Sequence, residues 1–416
     1  MNNKYVIFGA GDYGRAAATA FGQDNVEFYI DNSLDKQRDG LYGVEVLSMA
    51  EAVPRICGKK VVVAVPPTYV DEICIQLEKN GVTNYIEAAH LILANRESSS
   101  ENKLINQRLE SAMSWIDNHT IEGRGIAISS MENIIYPEVT GYYIPSLIKF
   151  GRKDLALDFA RNLIRIQRSD GAWNGPHDNT PYVFDTGQIL KGLLAVSSEL
   201  PSALTSAKAG ATWLLSNMQS NGRLITPNDD EWGGDESVCS ELIHIYCLSP
   251  LVELSKITGR VEYADAANSV LDYYLHTYYE RIMNFSHLSH FHAYLMEALL
   301  DLGKNDVALE AMKNMERFQK KSGAVPAYNN CDWVCSTGLF QLALVWFRLG
   351  NIDRGRRAFD YACGLQNESG GWYGSYLSEE NPEEYNSYFP LSEISWANKY
   401  FLDALHELRL LESINK

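Results

Sequence analysis

The sequence predicts a multidomain chain: a small α/β domain on a parallel sheet, followed by an all-α ring of six helix pairs. Three observations predict it. Residues 4–88 alternate short apolar strands with helical segments. After residue 100, at a spacing of roughly 45 residues, an apolar helical stretch, a polar Gly- or Asn-rich turn and a second apolar helical stretch recur six times. Two of those turns carry one signature, Gln-x-x-x-Gly-x-Trp, at Gln167, Gly171 and Trp173 and again at Gln366, Gly370 and Trp372, with shortened forms at Gln219/Gly222 and Gln319/Gly323. A single helix pair cannot bury its apolar face alone, so repeats imply stacked pairs, and twelve such helices can close around a central funnel.

In the first domain, Tyr5–Phe8, Val26–Ile30, Val44–Val46, Lys60–Val65 and Asn84–Glu87 read as strands, and Asp12–Phe21 and Thr68–Asn80 as helices. The wholly apolar Lys60–Val65 run suits a strand buried on both faces. Between the first strand and helix lies Gly9-Ala10-Gly11-Asp12-Tyr13-Gly14, a complete G-x-G-x-x-G. Gly9 suits the tight turn, Gly11 the close approach of a phosphate and Gly14 the helix packing, with the phosphate on the N–H groups of the helix start. Asp31, 20 residues past Gly11, ends the second strand, where a carboxylate can accept from ribose hydroxyls. The expected domains are 1–95, a Ser-rich linker at 96–103, and 104–416.

The ring reads as outer helices near 103–119, 153–168, 202–219, 260–277, 304–321 and 351–367. Inner helices fall near 138–150, 184–199, 236–258, 287–302, 332–349 and 391–408. The outer set is amphipathic, as in Leu155, Phe159 and Leu163 set among Asp154, Asp158, Arg161 and Arg165. The inner set, as in LFQLALVWF at 339–347, is apolar nearly all round, as burial on both sides requires. Short turns lead from inner to outer helices and long loops from outer to inner, so the long loops gather where the inner helices begin.

That rim is polar. It offers Glu138, Tyr142 and Tyr143; Asp185 and Gln188; Glu236; His290; Asp332 and Trp333; and Glu393 and Trp396. Carboxyl groups can bridge sugar hydroxyls and serve as acid and base once their surroundings separate their pKa values, and aromatic planes can stack on sugar rings. Glu138, Asp185, Glu236, Asp332 and His290 form the expected catalytic set. Tyr142, Tyr143, Gln188, Trp333, Glu393 and Trp396 are the expected substrate contacts. Capping alone also favours acids in a first helical turn, so Asp185 and Asp332 are equally readable as helix caps. Cys331 and Cys335 are spaced C-x-x-x-C rather than C-x-x-C, which disfavours zinc, and no metal is expected.

Two resemblances extend these readings. The stretches YVIFGAGDYGR, FYIDNSLDKQRDGLYGVEVL and VVVAVPP resemble the Rossmann-like N-terminal domain of bacterial sugar O/N-acyltransferases. That resemblance implies a bound nucleotide or nucleotide-sugar of the UDP type, held by Gly9, Gly11, Asp12, Tyr13, Gly14 and Asp31. The left-handed β-helix of those enzymes is absent, so acyl transfer is not implied. The Gln-x-x-x-Gly-x-Trp turns and YPEVTGYYIPSL (136–147) resemble the α/α-toroid superfamily, which implies an (α/α)6 toroid. Such rings host unrelated chemistries, including terpenoid cyclisation and glycan hydrolysis, elimination and epimerisation.

The expected function is a carbohydrate-active enzyme of bacterial surface-polysaccharide or glycoconjugate biosynthesis, working by acid–base chemistry. Alternatives are an NAD-dependent sugar oxidoreductase, a terpenoid-cyclase-like enzyme, and a non-catalytic glycan or nucleotide sensor. Asn228-Asp-Asp-Glu231 departs from the cyclases' Asp-rich run, and the single mononucleotide half opposes the oxidoreductase. The 416-residue chain carries 53 acidic against 36 basic residues, a net charge of −17, which disfavours nucleic acid and anionic membranes. It contains no run of 18 apolar residues, its start lacks a secretory h-region, and its seven cysteines lack a framework spacing. A cytoplasmic location with reduced thiols is expected. The oligomeric state stays open.

Overall fold

The computed structural model describes residues 4–56, 58–87, 100–177, 179–227, 240–378 and 381–414. The expected linker residues 96–99 and Glu236 lie outside them, and Ser100–Lys103 are already helical. The chain divides into two compact units, one of residues up to Arg108 together with Lys320–Ala324, the other of Leu109–Gln319 and the residues from Val325 on.

In the first unit, strands β1 (Tyr5–Phe8), β2 (Val26–Ile30), β3 (Val46–Leu47), β4 (Val61–Val63) and β5 (Tyr85–Glu87) form one parallel sheet in the order β3-β2-β1-β4-β5. Helices α1 (Asp12–Phe21), α2 (Leu34–Asp39), α3 (Met49–Ile56) and α4 (Pro67–Lys79) accompany it. Alternate strand residues feed two cores. Val6, Phe8, Phe28, Ile30, Val61 and Val63 pack with Met49 and Ile56 of α3 and Ile73 and Leu77 of α4. Ile7, Tyr29 and Val62 pack with Ala17 and Ala18 of α1. Both faces are therefore covered, which is why the strands read as unbroken apolar runs. The third strand starts two residues later than expected because Leu41 and Val44 exchange backbone bonds across Tyr42 (φ 54°) and Gly43 (φ 75°), a two-residue turn with both φ positive. Helix α2 buries no residue, so no apolar period betrayed it.

The second unit begins within α5 (Ser100–Asn118) and continues into strands β6 (Thr120–Ile121), β7 (Gly125–Ser129) and β8 (Glu132–Ile135). Then come α6 (Pro137–Lys149), α7 (Lys153–Ile166), α8 (Val183–Ala195) and α9 (Pro201–Ser216). A 3-10 segment, Ser240–Cys247, runs into α10 (Leu248–Thr258), followed by α11 (Val261–Thr277) and α12 (Tyr279–Met283). The chain ends with α13 (Ser289–Asp301), α14 (Asn305–Met315), β9 (Val334–Cys335), α15 (Ser336–Arg348), α16 (Ile352–Gly364), β10 (Ser375–Tyr376) and α17 (Ser395–Ile414). Inner helices α6, α8, α10 with its 3-10 lead-in, α13, α15 and α17 touch in sequence, and α17 touches α6. The helical toroid is closed. Each outer and inner helix matches its expected stretch, except that the expected third inner helix opens as a 3-10 segment. The β6–β8 meander was not anticipated; its outer strands are short and only partly buried.

The signature turns are the joints of the ring. Trp173 Nε1 donates to Leu163 O at 2.7 Å and Trp372 Nε1 to Ala362 O at 2.8 Å, so each indole satisfies a carbonyl near the C-terminal end of the outer helix before it. Gln167 and Gln366 donate to the carbonyls of Gly171 and Gly370. Both glycines have positive φ, 100° and 95°, and a Cβ would lie 2.4 Å from Ala209 O of α9 or 2.1 Å from Ser111 O of α5. The last turn thus docks on the first outer helix as an earlier turn docks on its neighbour. Where the ring closes, Glu393 accepts from Trp115 Nε1 of α5 at 2.7 Å, from Asn367 Nδ2 at 2.8 Å and from the Ser369 hydroxyl.

Candidate active site

Four inner helices deliver their first two turns to one cavity of about 280 Å³. Helix α6 contributes Glu138 and Tyr142, α8 Phe184 and Asp185, α13 His290, Phe291 and Tyr294, and α17 Trp396. Of the six inner-helix starts expected to converge, these four do so among the described residues. The residues just before α6 and α8, Tyr136 and Tyr182, also line it. So do Ile128 and Glu132 of the meander, Gly175–His177 after the first signature turn, and Tyr388 and Phe389 ahead of α17. Phe389 holds φ at +50°, a conformation rare for a bulky residue and concentrated at functional sites. The cavity lies at the lower end of the ~300–1,000 Å³ usual for small-molecule sites.

Nine aromatic side chains dominate the lining: Tyr136, Tyr142, Tyr182, Phe184, Phe291, Tyr294, Tyr388, Phe389 and Trp396. Trp396 Nε1 donates to the Tyr388 hydroxyl at 3.0 Å. Burial holds the Tyr136, Tyr142, Tyr294 and Tyr388 hydroxyls well above their ordinary pKa, so they stay neutral near pH 7.

Among them stand two buried carboxyl groups. Glu138 is 4% exposed and Asp185 1%. Burial first, and then the Asp185 charge, hold the Glu138 carboxyl well above the usual carboxylate range, with the Lys399 ammonium working against both. Both effects favour the protonated form of Glu138, and its Oε1 has no hydrogen-bond partner among the described residues. A buried acid kept protonated beside a second carboxyl is the arrangement by which a site obtains an acid and a base from like groups.

His290 is poised differently from a charged imidazole. Burial lowers its pKa to about 3, so it is neutral near pH 7. Its Nδ1 lies 2.8 Å from Gln341 Oε1, and Gln341 Nε2 donates to Glu297 Oε2 at 2.9 Å. An amide oxygen only accepts, so Nδ1 carries the proton and Nε2 keeps its lone pair. Sequence reasoning missed Gln341 and Glu297, which lie mid-helix in apolar runs. Tyr294, one turn beyond His290, was recoverable from the four-residue spacing.

Other expected site residues sit elsewhere. Tyr143 is fully buried and donates to Ser395 O at 2.6 Å, tying α6 to α17. Gln188 faces Cys247 Sγ at 4.0 Å, behind the cavity. Asp332 precedes α15 by four residues, in a loop where Glu384 accepts from the backbone N–H groups of Asp332 and Trp333 at 2.9 Å each. Trp333 packs with Leu288, Ala327 and Cys335. Glu393 is occupied by the ring closure. Among the described residues no group of three His, Cys, Asp or Glu is placed to hold a metal ion.

In the first unit, the Gly-rich turn follows β1, the strand from which the sheet extends in both directions. Gly9 (φ 112°) must be glycine because a Cβ would sit 2.2 Å from Ala64 O, and Gly14 because one would sit 1.9 Å from Gly9 O. Gly11 is different: its φ is −99°, and a Cβ would meet only Lys36 Nζ, at 3.4 Å. Tyr13 is half-buried against the core beneath, and Asp12 begins α1. Asp31 is already engaged. It accepts from Ala10 N at 2.8 Å, Ser33 N at 2.9 Å and Lys36 Nζ at 3.0 Å, and these contacts outweigh burial to lower its pKa. It is therefore first a brace for the turn, not a free ribose acceptor.

No family model and no curated protein matches this chain. Solved structures do. A sugar epimerase from a ruminal bacterium is 13% identical over 73% of this chain and 98% of its own, with a TM-score of 0.58. An α-amylase from Clostridium perfringens is 15% identical over 72% and 97%, TM-score 0.56, and an unsaturated glucuronyl hydrolase specific for heparin is 12% identical over 75% and 98%, TM-score 0.55. At such identities the likeness is one of fold: the chain carries the helical toroid on which these carbohydrate-processing proteins are built.

Proposed function

We propose that the helical ring is a glycan-processing enzyme that works by acid–base chemistry, with Glu138 as proton donor and Asp185 as its partner carboxylate. The observation that carries this reading is the Glu138 carboxyl, buried in an aromatic cavity beside Asp185, with burial and the Asp185 charge both raising its pKa. The carbohydrate-processing neighbours support it. Neutral His290 is a second proton acceptor through Nε2, and Trp396, Tyr142 and Tyr294 offer ring-stacking surfaces. Hydrolysis, elimination and epimerisation all draw on such a set. In a screen of oligosaccharides and glycosides, Asp185→Asn should lower turnover by at least ~100-fold, the range of a lost acid–base group, while leaving the melting temperature nearly unchanged. Lost stability with retained turnover would make Asp185 a structural cap.

For the first unit we infer a nucleotide or nucleotide-sugar ligand at the Gly9–Gly14 turn, which would set the enzyme in surface-polysaccharide or glycoconjugate biosynthesis. Gly11 supports this. Neither its φ nor its neighbours require glycine, so room for a phosphate is the remaining reason for it, and Lys36 stands beside it as a countercharge. UDP-sugars should raise the melting temperature of the wild type and not of Gly11→Val. Stabilisation by NAD alone would instead favour an oxidoreductase.

A further inference from the structure

We infer that the sugar ring bound in the toroid cavity carries no anionic group: it is a neutral hexose or N-acetylhexosamine unit rather than a uronic acid or a sulfated or phosphorylated sugar. The inference rests on the glycan reading above and narrows its substrate class.

The argument is electrostatic. Three carboxyl groups, Glu132, Glu138 and Asp185, line the cavity, and no Lys or Arg does among the described residues. The imidazole at its centre, His290, is neutral at physiological pH. The other, His177, is exposed and lies 3.5 Å from Glu132, which already takes up any charge it gains. The cation felt at both Glu138 and His290 is Lys399, and it is committed elsewhere. Its Nζ lies 2.9 Å from Asp403 and sits over the rings of Tyr400 at 3.6 Å and Tyr142 at 4.8 Å. The sequence outside the described residues adds no cation nearby in the chain: residues 228–239 read NDDEWGGDESVC, residue 178 is Asp and residues 379–380 are both Glu.

An anionic sugar would therefore be stripped of water against Asp185 with no guanidinium or ammonium among the described lining residues to receive it. Burying an unpaired charge is costly, and a like charge beside it raises the cost further. A neutral pyranose meets instead what the cavity offers: aromatic faces for its C–H surfaces and hydroxyls of neutral tyrosines for its own.

The test uses the full-length protein and stereochemically matched pairs of methyl glycosides and methyl uronides in the gluco, galacto and manno series, with binding read by calorimetry at pH 7. In any series that binds, the neutral glycoside should have a Kd at least ~10-fold below that of its uronide, since like-charge juxtaposition costs several kcal/mol. Glu132→Lys should narrow that gap by strengthening uronide binding. A uronide that binds as tightly as its neutral partner overturns the inference and leaves the glycan reading standing. An unchanged gap in folded Glu132→Lys overturns the electrostatic cause. Failure of every glycoside to bind overturns the glycan reading and this inference with it.

Discussion

At the scale of single residues, the cavity depends on environments more than on identities. Burial shifts the two proton-handling groups in opposite directions, raising the pKa of Glu138 and keeping a proton off the His290 Nε2 lone pair. Gln341 decides which face of the imidazole is available, because its carbonyl claims Nδ1–H while its amide nitrogen is held by Glu297. Gln341 is thus a positioning residue. Exchanging the pair, Gln341→Glu together with Glu297→Gln, puts a negative charge where the amide oxygen stood and keeps the second contact, which favours the imidazolium. The His290 pKa should rise from about 3 by roughly one to three units, the usual effect of an adjacent opposite charge. Nitrogen-15 NMR of the histidine side chains checks this: the wild type should show a neutral Nδ1–H tautomer at pH 6 and the variant a titration moved upward. A wild-type Nε2–H tautomer would sink the relay.

At the scale of elements, the repeated turn explains itself once its contacts are known. Trp satisfies a carbonyl of the preceding helix, Gln holds the glycine carbonyl, and Gly admits the backbone of the next outer helix. Gly370 and Gly151 separate close approach from backbone preference. Both have positive φ, 95° and 75° respectively, but a Cβ at Gly151 meets nothing within 4 Å. Gly151→Ala should therefore cost about 1 kcal/mol, the left-handed penalty alone. Gly370→Ala should cost roughly 2–4 kcal/mol in all, since overpacking adds another ~1–3 kcal/mol. Urea unfolding of the two variants measures the difference, and equal costs would remove the joint from the argument. The twelve-helix order was legible because period and turn chemistry are local. Glu138, Asp185, His290 and Trp396 were legible because they open helices in an apolar context. Glu393 and Tyr143 looked the same in sequence, yet serve the ring closure, which depends on partners more than 250 residues away. The cavity walls from the meander and from Tyr388 and Phe389 lie in loops without period, and Asp332 misled because α15 begins four residues after it.

At the scale of the whole ring, closure buries polar side chains around the bore, and their titration sets how the fold responds to acid. Asp403 is one kind: burial alone would raise its carboxyl, but Lys399, Lys149 and Ser146 together bring it well below the usual range. The histidines are the other. Burial lowers His244 to about 4 and His290 and His292 to about 3, against an ordinary value of 6.5. A base whose folded pKa is depressed contributes stability that is present above its unfolded pKa and lost as pH falls toward the folded value. Below pH 6.5 the unfolded chain takes up protons that the folded ring refuses, so stability should decline by up to about 1.4 kcal/mol per pH unit for each such histidine until pH approaches 4. Asp403 adds its loss only below about pH 4, where unfolded aspartate protonates. Acid sensitivity should therefore begin near pH 6.5, with Glu138, whose raised folded pKa gives the opposite sign, offsetting part of the histidines' loss above the unfolded glutamate pKa. His292 is the cleanest probe, since neither ring nitrogen has a hydrogen-bond partner among the described residues and it does not line the cavity. Thermal melts of the wild type and His292→Leu between pH 7.5 and 4.5 should show the variant losing stability more shallowly, by the share of one proton. Parallel slopes would mean that His292 is already protonated in the folded ring, and that the bore is wetter than its burial implies.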